Sequence, residues 1–207
     1  LEVAGYEVVQ RLHISRRAHL ILPTRRVLDR AYEVAKGEGK VGTTGKGIGP
    51  TYSAKAARVG LRVGAIQGDF LPKYEALKAR HLQILSDLGF TDFDITEEEK
   101  TWLEGIDYMR RFPLTDTEHE INQALAAGKN VLAEGAQGSL LDIDHGTYPF
   151  VAASSTTVGG VCTGLGIAPQ NIGRVWGIFK AYSTRVGSGP FPVELFDETG
   201  EEIRRVG

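Results

Sequence analysis

The sequence has almost no cysteine. Cys162 stands alone among 207 residues, which excludes an internal disulfide framework and suits a reducing cytosol. No apolar run approaches the roughly 20 residues needed to span a bilayer, so no membrane association is expected. The N-terminus lacks a basic region followed by an apolar one, so no signal peptide is expected either. A surplus of one charge is also missing: 24 Lys and Arg face 26 Asp and Glu, a net charge of −2. Without a basic field, no nucleic-acid partner is expected. What the chain does have is core material, since 42% hydrophobic composition over this length fills the interior of one ordinary domain. Leu1 opens inside strand-like sequence and Arg204-Arg205-Val206-Gly207 close no element. Residues 1–207 are therefore expected to be a single partial domain, a fragment.

Hydrophobic periodicity and glycine punctuation predict alternating strands and helices. Arg11–Ser15 and His19–Leu22 read as strands, the second ended by Pro23. Thr24 to about Lys36 reads as a helix with Val27, Leu28, Ala31 and Ala35 on one face. Val41–Pro50, with four glycines, reads as a loop, and Pro50 as the first residue of a helix to about Val59. Leu71–Leu88 carries a stripe of Tyr74, Leu77, His81, Leu85 and Leu88. Thr96-Glu97-Glu98-Glu99 reads as a capping box opening a helix to about Phe112, and Thr117–Ala127 as another helix. Asn130–Glu134 and Val175–Thr184 read as core strands running into glycine-rich loops. Such alternation implies an α/β fold around a mainly parallel central sheet flanked by helices, with ligands at loops beyond the strand ends.

Four segments are candidates for chemistry. Gly42-Thr43-Thr44-Gly45-Lys46-Gly47 combines glycines that let main-chain N–H groups approach an anion with two hydroxyls and an ammonium. The helix after it adds a positive end, with Lys55 and Arg58 three apart on one face. The loop is too short for a Walker motif, and Gly47 stands where a Mg-binding hydroxyl belongs. A tight turn before a solvated basic helix explains this loop as well as phosphate binding does. In Gly135-Ala136-Gln137-Gly138, Gln137 can donate to and accept from a heterocycle edge; alone, the segment reads better as a turn. Asp142, Asp144 and His145 read better as hydrogen bonding that holds the Gly146–Pro149 turn than as a metal site, so no metal ligand is assigned. Lys180 and Arg185 suit either anion neutralisation or a surface pair. Cys162 reads as a buried packing residue, and His13, His19, His81 and His119 as ordinary.

Taken together, the loops are more specific. Gly47 to Arg58 fits the signature G-I-[GR]-P-x-Y-x-x-K-x-x-R of the adenylosuccinate synthetases at every fixed position, and Glu134–Pro149 and Lys180–Glu194 resemble two later blocks in the same order. The resemblance covers essentially the whole chain. It implies a P-loop-NTPase-like α/β fold, incomplete at both ends, in a cytoplasmic homodimeric ligase of AMP biosynthesis that joins IMP to L-aspartate with GTP hydrolysis. It further implies that Thr44 and Gln137 contact IMP and that Val186 meets the ribose through its backbone. Arg58 would reach the IMP phosphate of the neighbouring subunit. Lys55 matches a conventional active-site residue, for which a charge or structural role fits better than proton transfer.

Ala152 departs from a more usual threonine that donates to the IMP phosphate, so that contact is not carried over, and Lys46 replaces a commoner arginine. The family's GDEGKG-like loop, catalytic aspartate and histidine, arginine-rich loop and guanine-reading Lys-x-Asp have no match. The Mg²⁺ ligands are expected in the missing N-terminal part, and the isolated piece is expected to be inactive. The alternatives are a non-catalytic purine-nucleotide-binding module, or another phosphotransferase using GTTGKG as its phosphate loop. The latter leaves blocks 134–150 and 180–194 unexplained.

Overall fold

A computed structural model describes residues 4–206. The first half of the chain holds most of the packed interior. β1 (Ile14–Ser15) pairs in parallel with β2 (Leu114–Thr115), in the register Ile14↔Leu114 and Ser15↔Thr115. Between these strands run α1 (Pro23–Lys36), α2 (Ile48–Ala56), α3 (Phe70–Asp87) and α4 (Thr96–Met109). Parallel pairing requires a long crossover of this kind. α5 (Thr117–Ala126), α6 (Gly159–Leu165) and α7 (Glu198–Val206) follow.

Pro23 begins α1 rather than ending a strand, because its missing N–H lies where a helix has no partner for it. Val27, Leu28 and Ala31 pack with Leu85 and Ile95 in one apolar cluster, whereas Ala35 is exposed. A second cluster gathers Leu20, Leu22, Leu61, Val63, Ile66, Phe70, Tyr74, Ile106 and Leu114. Tyr74 is fully buried there, its ring centroid 5.0 Å from that of Trp102 and 6.1 Å from that of Phe70. Its hydroxyl donates to Glu99 Oε1 at 2.5 Å, and Lys78 Nζ donates to both oxygens of the same carboxylate at 2.6 and 2.7 Å. Glu99 is therefore committed to α3 and closes no capping box. Asp94 starts α4 instead, accepting from the Thr96 N–H and hydroxyl.

Along the α3 stripe, Tyr74, His81 and Leu85 are buried, while Leu88 is exposed. His81 Nδ1 lies 2.7 Å from Thr24 Oγ1, and burial first, then Arg25 and Arg80, pushes its pKa down to about 4.

The parallel pairing expected from the sequence is present, in two-residue strands. Of the four strands expected, the first is met in part and three fail. Of Arg11–Ser15 only Ile14–Ser15 is strand, and His19 makes an isolated antiparallel bridge to Arg62. Asn130–Glu134 and Val175–Thr184 are not strands and are not buried: Leu132 is 93% exposed, Ile178 96% and Phe179 94%. A strand is defined by its pairing, and among the described residues no backbone hydrogen bond joins 130–137 or 173–185 to another segment.

Candidate functional site

The loop between α1 and α2 is shaped by α1. Gly42, Gly45 and Gly47 have φ of +76°, +65° and +79°, angles open to glycine at little cost. Glu33 Oε2 accepts the N–H of Gly42 at 2.8 Å and that of Thr43 at 3.3 Å. The Gly45 N–H goes to Thr43 Oγ1, and the Gly47 N–H to Asp29 Oδ2 at 2.8 Å. Arg25 donates to the Pro50 carbonyl at 2.8 Å. Carboxylates of the chain thus already hold the N–H groups of Gly42, Thr43 and Gly47, which favours the tight-turn reading of this loop. Thr44, at the crest, is exposed. Burial by itself would raise the Glu33 pKa, but Lys36 and the two loop amides outweigh it and bring the carboxyl below its ordinary value.

α2 starts at Ile48, with Gly47 as its cap, and ends at Ala56. The Arg58 N–H then bonds to Lys55 O and the Val59 N–H to Ala54 O, the paired bonds of a Schellman stop. That stop places a left-handed residue just after the C-cap, Ala57, and here it is Arg58, at φ +63°. Arg58 therefore lies beyond the helix and does not share a helical face with Lys55, contrary to the spacing argument. No hydrogen bond or ion pair among the described residues holds its guanidinium. Lys55 Nζ sits 5.4 Å from the Tyr52 ring centroid. Both residues line a cavity of about 420 Å³ with Gly49, Ser53, Ala56, Ile143 and Ala153, which brings the α2 segment against the 135–157 segment. Thr44, Arg58, Gln137 and Val186 lie outside that lining.

Gln137, exposed, is the second non-glycine residue with left-handed backbone, at φ +71°. The loop that follows it is organised by Asp142, which is fully buried. Its Oδ1 accepts the N–H groups of Asp144 and His145, and its Oδ2 those of Thr156 and Thr157. Burial alone would raise its pKa; these four donors prevail and hold it down to about 2. Asp142 thus folds the Gly146 turn against residues 156–157, the hydrogen-bonding role its sequence context favours. Ala152 is tied by its N–H to Leu141 O.

Arg185 and Ser188 join the three blocks. Arg185 donates to Phe150 O at 3.2 Å and to Ser188 O at 2.8 Å, and the Ser188 N–H donates to Val41 O at 3.2 Å. A Cβ on Gly42 would sit 2.9 Å from Ser188 N. Arg185 is thus a brace between loops rather than a free cation, and Lys180 bonds Thr184. Val186, in the braced turn, is 84% exposed. Cys162 is half-buried on α6, not sealed in a core.

A family model described as adenylosuccinate synthetase matches residues 1–207. The chain belongs to the adenylosuccinate synthetase family. The adenylosuccinate synthetase of Bacteroides fragilis is 62% identical over 207 residues, all of this chain and 49% of that protein. The adenylosuccinate synthetase of Cytophaga hutchinsonii is 55% identical over 208 residues, covering 100% of this chain and 48% of its own length. The structure of the fully ligated adenylosuccinate synthetase from Plasmodium falciparum superposes with a TM-score of 0.86 at 38% identity, over 99% of this chain and 48% of that one. The α/β fold is shared with that synthetase. The chain spans about half the length of the curated adenylosuccinate synthetases it matches.

The sequence reading missed the polar stripe of Arg25, Asp29 and Glu33 on α1. The signal was present, since residues four apart share a helix face, but the apolar stripe alone was read.

Proposed function

We propose that this chain forms the IMP-binding half of an adenylosuccinate synthetase subunit, a ligase of AMP biosynthesis that joins IMP to L-aspartate with GTP hydrolysis. In that reaction GTP transfers its γ-phosphoryl group to the 6-oxygen of IMP. The aspartate amine then attacks the 6-carbon, and phosphate leaves with the oxygen to give adenylosuccinate, GDP and phosphate. Positioning and charge neutralisation carry most of such a reaction.

In this reading the Thr44 hydroxyl and the Gln137 amide orient IMP, and the backbone of Val186 meets the ribose. Arg58 crosses a homodimer interface to the IMP phosphate of the neighbouring subunit, and Lys55 contributes charge beside the nucleotide. The observation that carries the reading is conformational. Among the described residues, the non-glycine residues with left-handed backbone are Arg58 and Gln137, both candidate IMP contacts, and strain of that kind collects at binding sites.

GTP and Mg²⁺ belong to the proposed whole enzyme. Among the described residues no group of three or more His, Cys, Asp or Glu could hold a metal ion, so this part of the subunit offers no such site for Mg²⁺. No helix among the described residues is long and apolar enough to cross a membrane, and a cytoplasmic location follows from the proposed pathway. Segments 130–134 and 175–184 would pair with strands supplied by the other half of the subunit.

The test is complementation in the complete subunit. Arg58→Leu should weaken IMP binding, and mixing it with a subunit defective at Gln137 should restore part of the activity, because each hybrid dimer regenerates an intact site. Absence of any recovery across mixing ratios would remove the trans role of Arg58.

A further inference from the structure

Resting on the reading of Thr44 as an IMP contact, we propose that Glu33 is a positioning residue for the nucleotide site, acting at the head of a polar ladder on α1. Arg25, Asp29 and Glu33 lie four residues apart and so share one face of the helix. Each grips the next segment in turn, in antiparallel order: Glu33 takes the N–H groups of Gly42 and Thr43, Asp29 that of Gly47, and Arg25 the carbonyl of Pro50. Thr44 stands between the two carboxylate grips. Asp29 and Arg25 are nearly sealed, 5% and 7% exposed, and the Glu33 side chain is 15% exposed. Water therefore competes weakly for the buried bonds of Asp29 and Arg25 and more strongly for those of Glu33, which are part-buried at Gly42 and exposed at Thr43.

Glu33 is the adjustable member. Asp29 grips Gly47, the buried cap of α2, whose backbone the start of the helix already fixes. Residues 42–43 instead are held by Glu33 on one side and by the Val41–Ser188 bond on the other. Removing the Glu33 acceptor frees two amides and leaves the crest of the loop to sample other shapes before it can meet IMP. That cost falls on substrate binding, through the competent fraction of the loop, and not on the chemical step. Both amides donate to one oxygen, Oε2. A neutral side chain of the same reach therefore serves, and a charged one that is shorter does not.

The test uses the complete subunit and steady-state kinetics. Glu33→Ala is expected to raise KM for IMP roughly tenfold, with kcat and KM for GTP within about twofold. Glu33→Gln should recover most of that loss, and Glu33→Asp should not. A KM for IMP within twofold of wild type in Glu33→Ala overturns the proposal, as does a parallel change in kcat and every KM tracking a fall in Tm. Should Glu33→Ala fail to fold, the contrast between Glu33→Gln and Glu33→Asp decides alone, and equal KM values overturn it. Thr44→Ala, measured alongside, separates the two levels. If it raises KM for IMP while the Glu33 variants do not, only the positioning role fails. If it leaves KM unchanged, the assignment of Thr44 falls, and the positioning role with it.

Discussion

At the scale of single residues, Arg58 occupies a backbone position that glycine would take at lower energy. A left-handed residue with a Cβ costs on the order of 1 kcal/mol relative to glycine, and among the described residues the Arg58 side chain makes no hydrogen bond or ion pair to offset it. Arg58→Gly is therefore expected to stabilise the fold by about 1 kcal/mol while weakening IMP binding, a trade measured by thermal unfolding beside KM for IMP. A loss of stability would show that the side chain is held by the fold. Asp142 gives a second residue-level expectation. Its carboxylate is stabilised in the folded state, so its contribution is present above the ordinary aspartate range and is lost as pH falls through about 2. The amide signals of Asp144, His145, Thr156 and Thr157 should titrate with a midpoint near 2 in NMR spectra.

At the scale of elements, α1 and α3 meet through a buried polar contact as well as an apolar one. His81 is kept neutral against Thr24, with its pKa depressed to about 4. Between about pH 6.5 and 4 the unfolded chain takes up a proton that the folded one refuses, so stability falls as pH drops through that window. The fall is on the order of 3 kcal/mol at most. Replacing His81 with Gln should flatten this limb of a denaturant-derived stability profile. On the α3–α4 contact, Tyr74→Phe leaves the ring stack and removes one donor from Glu99, which Lys78 still neutralises; a loss of about 1 kcal/mol in urea unfolding is expected. Tyr74→Ala empties the centre of the aromatic cluster and should cost about 3–5 kcal/mol.

At the scale of the whole molecule, the two halves of the chain differ in kind. Residues up to about 126 carry both apolar clusters, while 130–134 and 175–184 present Leu132, Trp176, Ile178 and Phe179 to solvent. Trp176, Ile178 and Phe179, exposed side by side along the chain, suit an interface. The chain by itself is expected to bind a hydrophobic dye and to turn over no IMP, GTP and aspartate. Co-expression with the remainder of the subunit should suppress dye binding. Turnover by residues 1–207 alone would contradict the proposed division of the site.

Periodicity and punctuation alone placed α1, α3, α4 and α5 within about three residues of their ends, because those helices depend on local spacing and, for α1, α3 and α5, on a glycine after the stop. The motif blocks gave Thr44, Lys55, Arg58, Gln137 and Val186 as candidate site residues, which the proposed complementation and kinetics test. Only the tertiary structure decided which strand-like runs become strands, since pairing depends on a neighbour that the run does not encode. It also decided that Glu33 and Asp29 fill the loop amides, that Arg185 braces two loops, and that Arg58 ends α2 left-handed. Each of those outcomes depends on groups distant in sequence arriving at one place, and local pattern carries no record of such distances.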